Sequence, residues 1–231
     1  IERIRSLKPA RVLEIGCGTG LIMFGLLPHC AFYTGTDLSQ VAIDRLRQHQ
    51  VSPDLIARIA GLERAELLCR RADDCSWIGA GGYDTVVLAS MIQYFPGVDY
   101  MLGVLDGVFD RALKPGGSVF IGDVRSLPLL EAFQASVQLF KADSADRAAT
   151  VAARLRQRLA QEQELAIDPC FFLALRHRYP SIRQVEILPK RGLQANEMSR
   201  FRYDVLIRTS GEPAPVSDLP WTEWRRGRPG P

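Results

Sequence analysis

A glycine-rich turn between an apolar segment and a helix constrains the fold of this chain more than any other feature. Residues 12–15 form a mostly apolar segment of strand length, and residues 21–27 follow as the start of a helix. Between them, three glycines occupy alternate positions: Gly16, Gly18 and Gly20. Glycine permits positive φ in a tight turn and lets a ligand approach the backbone. The pattern therefore predicts a buried strand, a ligand-binding turn and a helix whose free N–H groups point back at the ligand.

Two acidic residues near this turn indicate which ligand it binds. Asp37 ends the next apolar segment, 31–36, where its carboxylate can accept hydrogen bonds from a ribose diol. The glycines have the spacing G-x-G-x-G, whereas dinucleotide folds use G-x-G-x-x-G for a pyrophosphate. Glu14, two residues before the first glycine, would repel a pyrophosphate but suits a cation with an amine and a sulfonium. The sequence thus favours S-adenosylmethionine; a nicotinamide oxidoreductase, or a glycine turn without ligand, is the alternative.

The order of the apolar and amphipathic segments predicts one α/β domain with a doubly wound, mostly parallel sheet. A chain of 231 residues, 47% of them hydrophobic, suits one such domain. Further strands are predicted at residues 65–71, 83–89, 118–123, 182–188 and 201–208. Further helices are predicted at residues 41–50, after Ser39 as N-cap, and at 99–113, 129–140, 145–164 and 170–178. We expect a domain over residues 1–210, with a helical insertion at about 127–178, and a tail or linker rich in proline, tryptophan and arginine over 211–231.

The composition argues against several other classes of function. A net charge of +3 gives no reason to expect nucleic acid or a membrane as partner, and no apolar run reaches the roughly 18 residues that cross a bilayer. Five cysteines without a C-x-x-C pair are typical of reduced thiols, so we expect a cytoplasmic protein. The three histidines lie far apart in the sequence, and no metal site is predicted. Because the chain begins with isoleucine, we expect it to be a piece of a longer protein.

Polar residues that follow the later strands are further candidates for a site. Ser90, Gln93 and Tyr94 come after the fourth predicted strand, at the sheet edge where open α/β sheets bind ligands. Residues 123–126 occupy the equivalent place after the fifth strand, where they could contact a substrate or form a structural ion pair. Glu197 lies in the late loop, where it could accept a proton from an attacking amine or belong to a solvated hairpin.

These motifs resemble those of a known family. The first one resembles motif I of the class I methyltransferases, E/D-x-G-x-G-x-G, with Asp37 as the acid of the second strand. Four segments look like the methyltransferase domains embedded in nonribosomal peptide synthetases: VLEIGCGTG at 12–20, QYFP at 93–96, GDVRSLPLL at 122–130 and NEMSRFRYDV at 196–205. The LPW segment at 219–221 fits the exit segment of that family. The resemblance implies a Rossmann-like, seven-stranded sheet with an antiparallel edge strand.

The resemblance also implies a reaction, a cofactor and partners. Such domains use S-adenosylmethionine to methylate an amino acid held as a thioester on a carrier protein, most often at the α-nitrogen. They adjoin an adenylation domain of the same synthetase. Alternatives from the sequence are an O- or C-methyltransferase, whose cofactor residues would be the same, and a non-catalytic cofactor-binding module of a megasynthase.

Roles within the site follow from the same resemblance. Glu14 and the backbone of the turn would hold the methionine end of the cofactor, Asp37 the ribose and Asp73 the adenine, with Asp74 as a close alternative to Asp73. The complete set of expected cofactor-binding residues is Glu14, Gly16, Cys17, Gly18, Gly20, Asp37, Leu38, Ala72, Asp73, Ser90 and Gln93. For catalysis, three residues are expected: Glu197 would accept the amine proton, and Tyr94 and Asn196 would orient the nitrogen.

Overall fold

An eight-stranded β-sheet forms the centre of the protein. The computed structural model describes residues 1–190 and 196–211. The strands are β1 (Arg11–Ile15), β2 (Phe32–Asp37), β3 (Glu66–Cys69), β4 (Tyr83–Ala89), β5 (Leu113–Ser126), β6 (Ala166–Ile167), β7 (Gln184–Pro189) and β8 (Arg202–Arg208). The α-helices are α1 (Glu2–Arg5), α2 (Leu21–Leu26), α3 (Gln40–Gln50), α4 (Pro53–Arg58), α5 (Val98–Gly107), α6 (Leu130–Phe140), α7 (Ala148–Ala160), α8 (Pro169–Arg178) and α9 (Glu197–Arg200). The strand order is β3-β2-β1-β4-β5-β8-β7, and β6 pairs with the end of β5.

All seven predicted strands are present, and β4 has the predicted bounds. Strands β1 to β5 pair in parallel, which confirms the doubly wound prediction for this part of the chain. β5 is longer than the predicted 118–123. Leu113 already pairs with Tyr83, and the ladder resumes at Ser118 opposite Thr85 after a register shift. At its other end, β5 continues to Ser126 because β6 and β8 both pair with it there.

The antiparallel strand lies one position inside the sheet edge. β8 runs antiparallel to both of its neighbours, β5 and β7, so the edge strand β7 is parallel to β5. Five consecutive residues of β8, 203–207, are buried, whereas β7 is only half-buried. A strand buried on both faces belongs inside a sheet, which explains this order. The expected antiparallel strand is therefore confirmed but not at the edge, and the two-residue β6 raises the expected seven strands to eight.

Helices cover both faces of the sheet. On one face, Met23 of α2 and Leu46 of α3 pack with Val12 of β1 in one apolar cluster. On the other face, Val104 of α5 and Phe172 of α8 belong to a larger cluster that includes core residues of β1, β4, β5 and β8. Burial on both faces requires near-continuous apolar strands, which is the pattern that the sequence shows.

Two predicted helices have different bounds in the structure. The predicted helix 145–164 is shorter, because Asp143 and Asp146 accept backbone N–H bonds in the turn before α7, and Glu162 leaves the helix to bind Arg125. The predicted helix 99–113 ends its α-helical part at Gly107 and continues as a π-helical turn, Val108–Ala112. Ser39 caps α3 as predicted, since its hydroxyl accepts the Ala42 N–H.

Within the described residues, no helix is both long enough and apolar enough to span a bilayer. All five cysteines belong to this part of the chain and are unpaired. The predicted tail lies, from residue 212 onward, outside the described residues, so its boundary stays a prediction.

Candidate active site

A cleft of about 550 Å³ lies at the carboxyl ends of β1, β2 and β4. This is the edge at which open α/β sheets bind ligands. Seven of the predicted site residues line it: Gly16, Gly18, Asp37, Leu38, Ala72, Ser90 and Tyr94. The structure therefore brings together residues that are up to 78 positions apart in the sequence, from Gly16 to Tyr94.

Hydrogen bonds to β2 and positive φ angles give the glycine turn its shape. The N–H groups of Gly16 and Cys17 both donate to the Thr36 carbonyl, at 2.7 and 2.9 Å. Gly18 has a φ of +50°, and its N–H donates to Asp37 Oδ2 at 2.9 Å. A Cβ atom built on Gly18 would have no heavy atom within 4 Å. The backbone at Gly18 is thus open to the cleft, as a ligand cradle requires.

Two other residues of the turn face the protein interior. A Cβ on Gly20 would lie 2.8 Å from Leu46 Cδ2, and Gly20 also donates its N–H to the Cys17 carbonyl. The Cys17 side chain is buried, which raises the pKa of its thiol to about 12. Neither residue lines the cleft. The structure thus supports a packing role for Cys17 and Gly20 instead of the direct cofactor contact that the sequence predicted.

Glu14 lies beneath the turn and not on the cleft wall. Its side chain is 2% exposed, and its carboxylate accepts a hydrogen bond from the Tyr33 hydroxyl. Burial raises the pKa of Glu14 to about 7, and the Tyr33 hydrogen bond opposes this rise. The predicted direct contact with the methionine end does not fit this geometry, because the carboxylate is enclosed and already has a partner. Glu14 instead supports the turn from below.

Asp37, Leu38 and Ala72, which were predicted to bind the cofactor, line the cleft. Asp37 Oδ1 accepts the Ser39 N–H at 2.8 Å, so the carboxylate is fixed at the cleft by two backbone donors, Gly18 and Ser39. Leu38 is 73% exposed and lines the cleft, where an apolar side chain can pack on a flat ring. Ala72 lines the cleft on the β3 side. These positions agree with the predicted roles, which stay predictions.

Asp73 and Asp74 both have partners already. Arg71 makes two hydrogen bonds of 2.9 Å to Asp73, which lower the pKa of that carboxyl, and the Tyr100 hydroxyl donates to Asp73 at 3.1 Å. Asp74 accepts from the hydroxyl and N–H of Ser76. Of this group, Arg71 and Tyr100 line the cleft and the two aspartates do not. The choice between Asp73 and Asp74 for the adenine thus stays open.

Of the three predicted residues in the turn after β4, two line the cleft and one is buried. Tyr94 is 74% exposed at the cleft, and Ser90 lines the cleft with a φ of +56°. Gln93 is 5% exposed: its amide donates to the Ser90 carbonyl at 2.9 Å, and its Oε1 has no hydrogen-bond partner among the described residues. Gln93 does not line the cleft, so the structure favours a role in holding this turn over the predicted cavity contact.

The candidate segment 123–126 forms the end of β5, and its charged residues make ion pairs. Asp123 binds Lys190 at 2.6 Å and accepts a hydrogen bond from Ser90. Arg125 is buried and makes a bidentate pair with Glu162, at 2.9 Å for both bonds. The sequence left a substrate contact and a structural ion pair open for this segment. Arg125 fits the ion-pair alternative, because its charged group is paired inside the protein.

The late loop lies beside a second, smaller pocket. Asn196 is the N-cap of α9, and its side-chain oxygen accepts the Ser199 N–H. This capping bond occupies the group that was predicted to orient the substrate nitrogen. Glu197 lies 3.6 Å from Arg202 and shares the small pocket with Arg125. Neither Asn196 nor Glu197 lines the larger cleft, so their predicted catalytic roles stay predictions.

Seven residues of the cleft wall were not predicted: Ile15, Arg70, Arg71, Met91, Phe95, Pro96 and Tyr100. Three of them, Met91, Phe95 and Pro96, lie within or directly after the segment from Ser90 to Tyr94. Their place after β4 was the available signal, since a whole turn at this edge faces the ligand. Tyr100 belongs to α5 and gave no such signal.

The residues present fit S-adenosylmethionine. The open backbone at Gly18, the fixed carboxylate of Asp37 and the exposed Leu38 offer a cradle, a diol acceptor and an apolar wall. No group of three or more His, Cys, Asp or Glu side chains suited to a metal ion occurs within residues 1–190 and 196–211.

Comparison with known proteins agrees with this geometry. A family model described as a methyltransferase domain matches residues 13–119. The chain carries a class I methyltransferase domain. The methyltransferase domain is 44% identical over 225 residues to chondramide synthase cmdD of Chondromyces crocatus, a match that covers 97% of this chain and 6% of the synthase. It is 32% identical over 223 residues to enniatin synthetase of Fusarium oxysporum, covering 94% of this chain and 7% of that protein.

The methyltransferase domain thus spans a small part of the length of these synthetases. Among solved structures, an S-adenosylmethionine-dependent methyltransferase from Methanosarcina mazei matches with a TM-score of 0.61 at 18% identity, over 90% of this chain and 97% of the other. At this identity the likeness shows a shared fold. The cofactor of the methyltransferase domain is S-adenosylmethionine, as the glycine turn and Asp37 predicted.

Proposed function

We propose that this domain methylates the α-amine of an amino acid held as a thioester on a carrier protein, during nonribosomal peptide biosynthesis. The observation that carries the proposal is the match of 97% of the chain to a segment of a synthase at 44% identity. The partners would be that carrier protein and an adjoining adenylation domain of the same synthetase. One solved N-methyltransferase, NodS from Bradyrhizobium japonicum, matches with a TM-score of 0.52, and this likeness concerns the fold alone.

The cleft residues have distinct roles in this proposal. The Gly18 backbone would face the methionine end, Asp37 would accept from the ribose hydroxyls, and Leu38 would pack on the adenine. When bound, the sulfonium supplies an electrophilic methyl group, and the carbon–sulfur bond breaks with its electron pair left on sulfur as the nitrogen–carbon bond forms. Fixed cleft walls favour such an in-line displacement because they align donor and acceptor.

The acceptor must reach the cleft as a neutral amine. An α-ammonium has no lone pair, so a proton has to leave before attack, and the alkylated nitrogen loses a second proton to solvent water afterwards. Glu197 would accept the first proton. Its side chain is about half exposed and lies 3.6 Å from the Arg202 guanidinium.

Intact-mass analysis of aminoacyl-loaded carrier protein tests the proposal. After incubation with the protein and S-adenosylmethionine, we expect a gain of one methyl group, located on nitrogen by fragmentation. A carrier loaded with the matching α-hydroxy acid is the control and should gain nothing. Methyl on oxygen or carbon, or no gain despite measured binding of S-adenosylhomocysteine, would contradict the proposal.

A further inference from the structure

Two non-glycine residues with positive φ meet beside the cleft. Ser90 follows β4 with a φ of +56°, Asp123 belongs to β5 with a φ of +61°, and the Ser90 hydroxyl donates a hydrogen bond to Asp123 Oδ2. Among the described residues, Lys8 alone shares this property. The left-handed backbone conformation is unfavourable for residues other than Gly, Asn and Asp. Residues that are held in it cluster at functional sites. Glycine would adopt this backbone conformation at both positions without strain. The presence of serine and aspartate there therefore indicates a role for their side chains.

Asp123 belongs to a group of four charged side chains, with Lys190, Asp204 and Arg3. Lys190 Nζ lies 2.6 Å from Asp123 Oδ1 and 3.0 Å from Asp204 Oδ1. Asp204 accepts the Asp123 N–H at 3.0 Å and pairs with Arg3 at 2.7 Å. Burial alone would raise the pKa of Asp123, but the hydrogen bonds from Lys190 and Ser90 hold the pKa below its ordinary value. Two carboxylates and two cations make this group neutral as a whole.

This arrangement fixes the direction of the Ser90 hydroxyl. Its proton is committed to an ionised Asp123, so its oxygen can only accept from a further ligand. Ser90 also lines the cleft, on the side that leads from β4 towards β5. The uncharged Ser90 oxygen can accept an N–H from a neutral amine. It carries no negative charge that would favour the ammonium form over the neutral amine.

We propose that Ser90 Oγ accepts an N–H of the substrate amine and thereby directs the nitrogen lone pair towards the methyl carbon. Asp123 and Lys190 are positioning residues that act through Ser90. This inference rests on the proposed N-methylation, and it gives Ser90 an acceptor-side role in place of the cofactor contact that the sequence predicted. The remaining proton balance is that of the proposed function, since Ser90 neither gains nor loses a proton.

Ser90→Gly tests the hydroxyl without strain. Glycine removes the side chain and suits the positive φ, so the relieved backbone strain offsets the lost bond to Asp123, and we expect a melting temperature close to that of the wild type and unchanged affinity for S-adenosylhomocysteine. We expect kcat to fall about tenfold or more with an aminoacyl thioester acceptor while KM changes little, because the lost bond orients the transition state. Lys8→Gly is the matched control: it relieves the same backbone conformation away from the cleft and should leave kcat unchanged.

The positioning role needs a second pair of variants. Asp123→Asn keeps a carbonyl oxygen that can accept from Ser90 and tolerates the left-handed conformation, whereas Asp123→Gly has no acceptor. We expect Asp123→Asn to keep most of the activity and Asp123→Gly to lose as much as Ser90→Gly. Equal rates for the two Asp123 variants would overturn the positioning role.

Two outcomes separate this inference from the proposed function. If the wild-type protein methylates nitrogen and Ser90→Gly does so within twofold of the wild-type rate, the role of Ser90 is wrong and the proposed function stands. If the wild-type product carries its methyl group on oxygen or carbon, both are wrong. Loss of S-adenosylhomocysteine binding in Ser90→Gly would mean that Ser90 contacts the cofactor, as the sequence predicted. This result would also overturn the inference.

Discussion

In our proposals the site has a donor half on β1 to β4 and an acceptor half on β5 to β8 with the adjoining Ser90, and the two halves are built in different ways. On the donor side, the decisive contact joins the Gly18 N–H to Asp37, 19 residues away, and most of the surface is backbone and apolar side chain. On the acceptor side, ion pairs join Arg3 to Asp204 across 201 residues and Arg125 to Glu162 across 37. Local spacing therefore defines the first half, and only the folded chain defines the second.

The difference has an energetic consequence. Ion pairs that are partly or fully buried destabilise a protein strongly when one partner is removed, whereas exposed pairs contribute little. We therefore expect substitutions in the acceptor half to affect stability and chemistry more than substitutions at comparable residues of the donor half.

Glu197→Gln should have the largest effect on the reaction. If Glu197 is the proton acceptor, the amide cannot take the amine proton, and kcat should fall about a hundredfold or more while affinity for S-adenosylhomocysteine is unchanged. Steady-state kinetics over a range of thioester concentrations measure this. Glu186→Gln is a fitting control, because Glu186 is also a partly exposed carboxylate paired with an arginine, Arg208. A near-wild-type kcat in Glu197→Gln would mean that Glu197 is not the proton acceptor. The acceptor half would then lack an assigned base.

Arg125→Met should have the largest effect on stability. The substitution leaves Glu162 without its cation beside a buried position, so we expect a loss of about 3 kcal/mol in the free energy of unfolding. Arg154→Met breaks the more exposed pair with Asp146 and should cost about 1 kcal/mol or less. Urea denaturation of the two variants compares them directly. Equal losses would mean that burial does not distinguish the pairs.

The same pair predicts a pH dependence. The Arg125 hydrogen bonds lower the pKa of Glu162 to about 2, from 4.5 in the unfolded chain. A lowered pKa stabilises the fold above the unfolded value and loses this effect as the pH falls through the folded value. The stability difference between wild type and Arg125→Met should therefore shrink between pH 4.5 and about 2.

Two glycines of the donor half should separate stability from binding. In Gly18→Ala, the new Cβ meets no protein atom but enters the cleft, so affinity for S-adenosylhomocysteine should fall, with about 1–2 kcal/mol lost from the backbone conformation. In Gly20→Ala, the Cβ would press on Leu46 at 2.8 Å, so more stability should be lost and affinity should change less. Calorimetric titration and thermal unfolding of both variants test this. The reverse order of affinities would place Gly20, and not Gly18, at the ligand.

The success of the predictions from sequence also differs between the donor half and the acceptor half. The strands, the glycine turn and Asp37 were predictable, because apolar periodicity and residue spacing act over a few residues. Glu14 was assigned to the ligand because an acid near a glycine turn gives no sign of which way it points, and Tyr33 decides that. Gln93 was misplaced for a similar reason: its amide bonds back to Ser90 in its own turn. The charged partners of Asp123, Lys190 and Asp204, lie more than 60 residues away and could not be predicted from spacing.

Glu14→Gln tests whether the donor half also hides a charged group. The folded protein keeps the Glu14 proton up to about pH 7, whereas a glutamate in the unfolded chain loses it near 4.5. Between these values the unfolded state binds fewer protons, so the wild-type free energy of unfolding should fall as pH rises, by at most about 1.4 kcal/mol per pH unit. Glutamine has no proton to lose, so the difference between variant and wild type should grow in favour of the variant across this window.

Urea denaturation of both proteins at several pH values between about 5 and 8 measures that difference, and groups common to both cancel. Parallel curves would mean that Glu14 is ionised throughout, stabilised by a donor or cation near it. The donor half would then resemble the acceptor half in depending on a buried charge. A widening difference would instead show that the cofactor turn rests on a carboxyl that stays neutral beneath it, and the contrast between the two halves would hold.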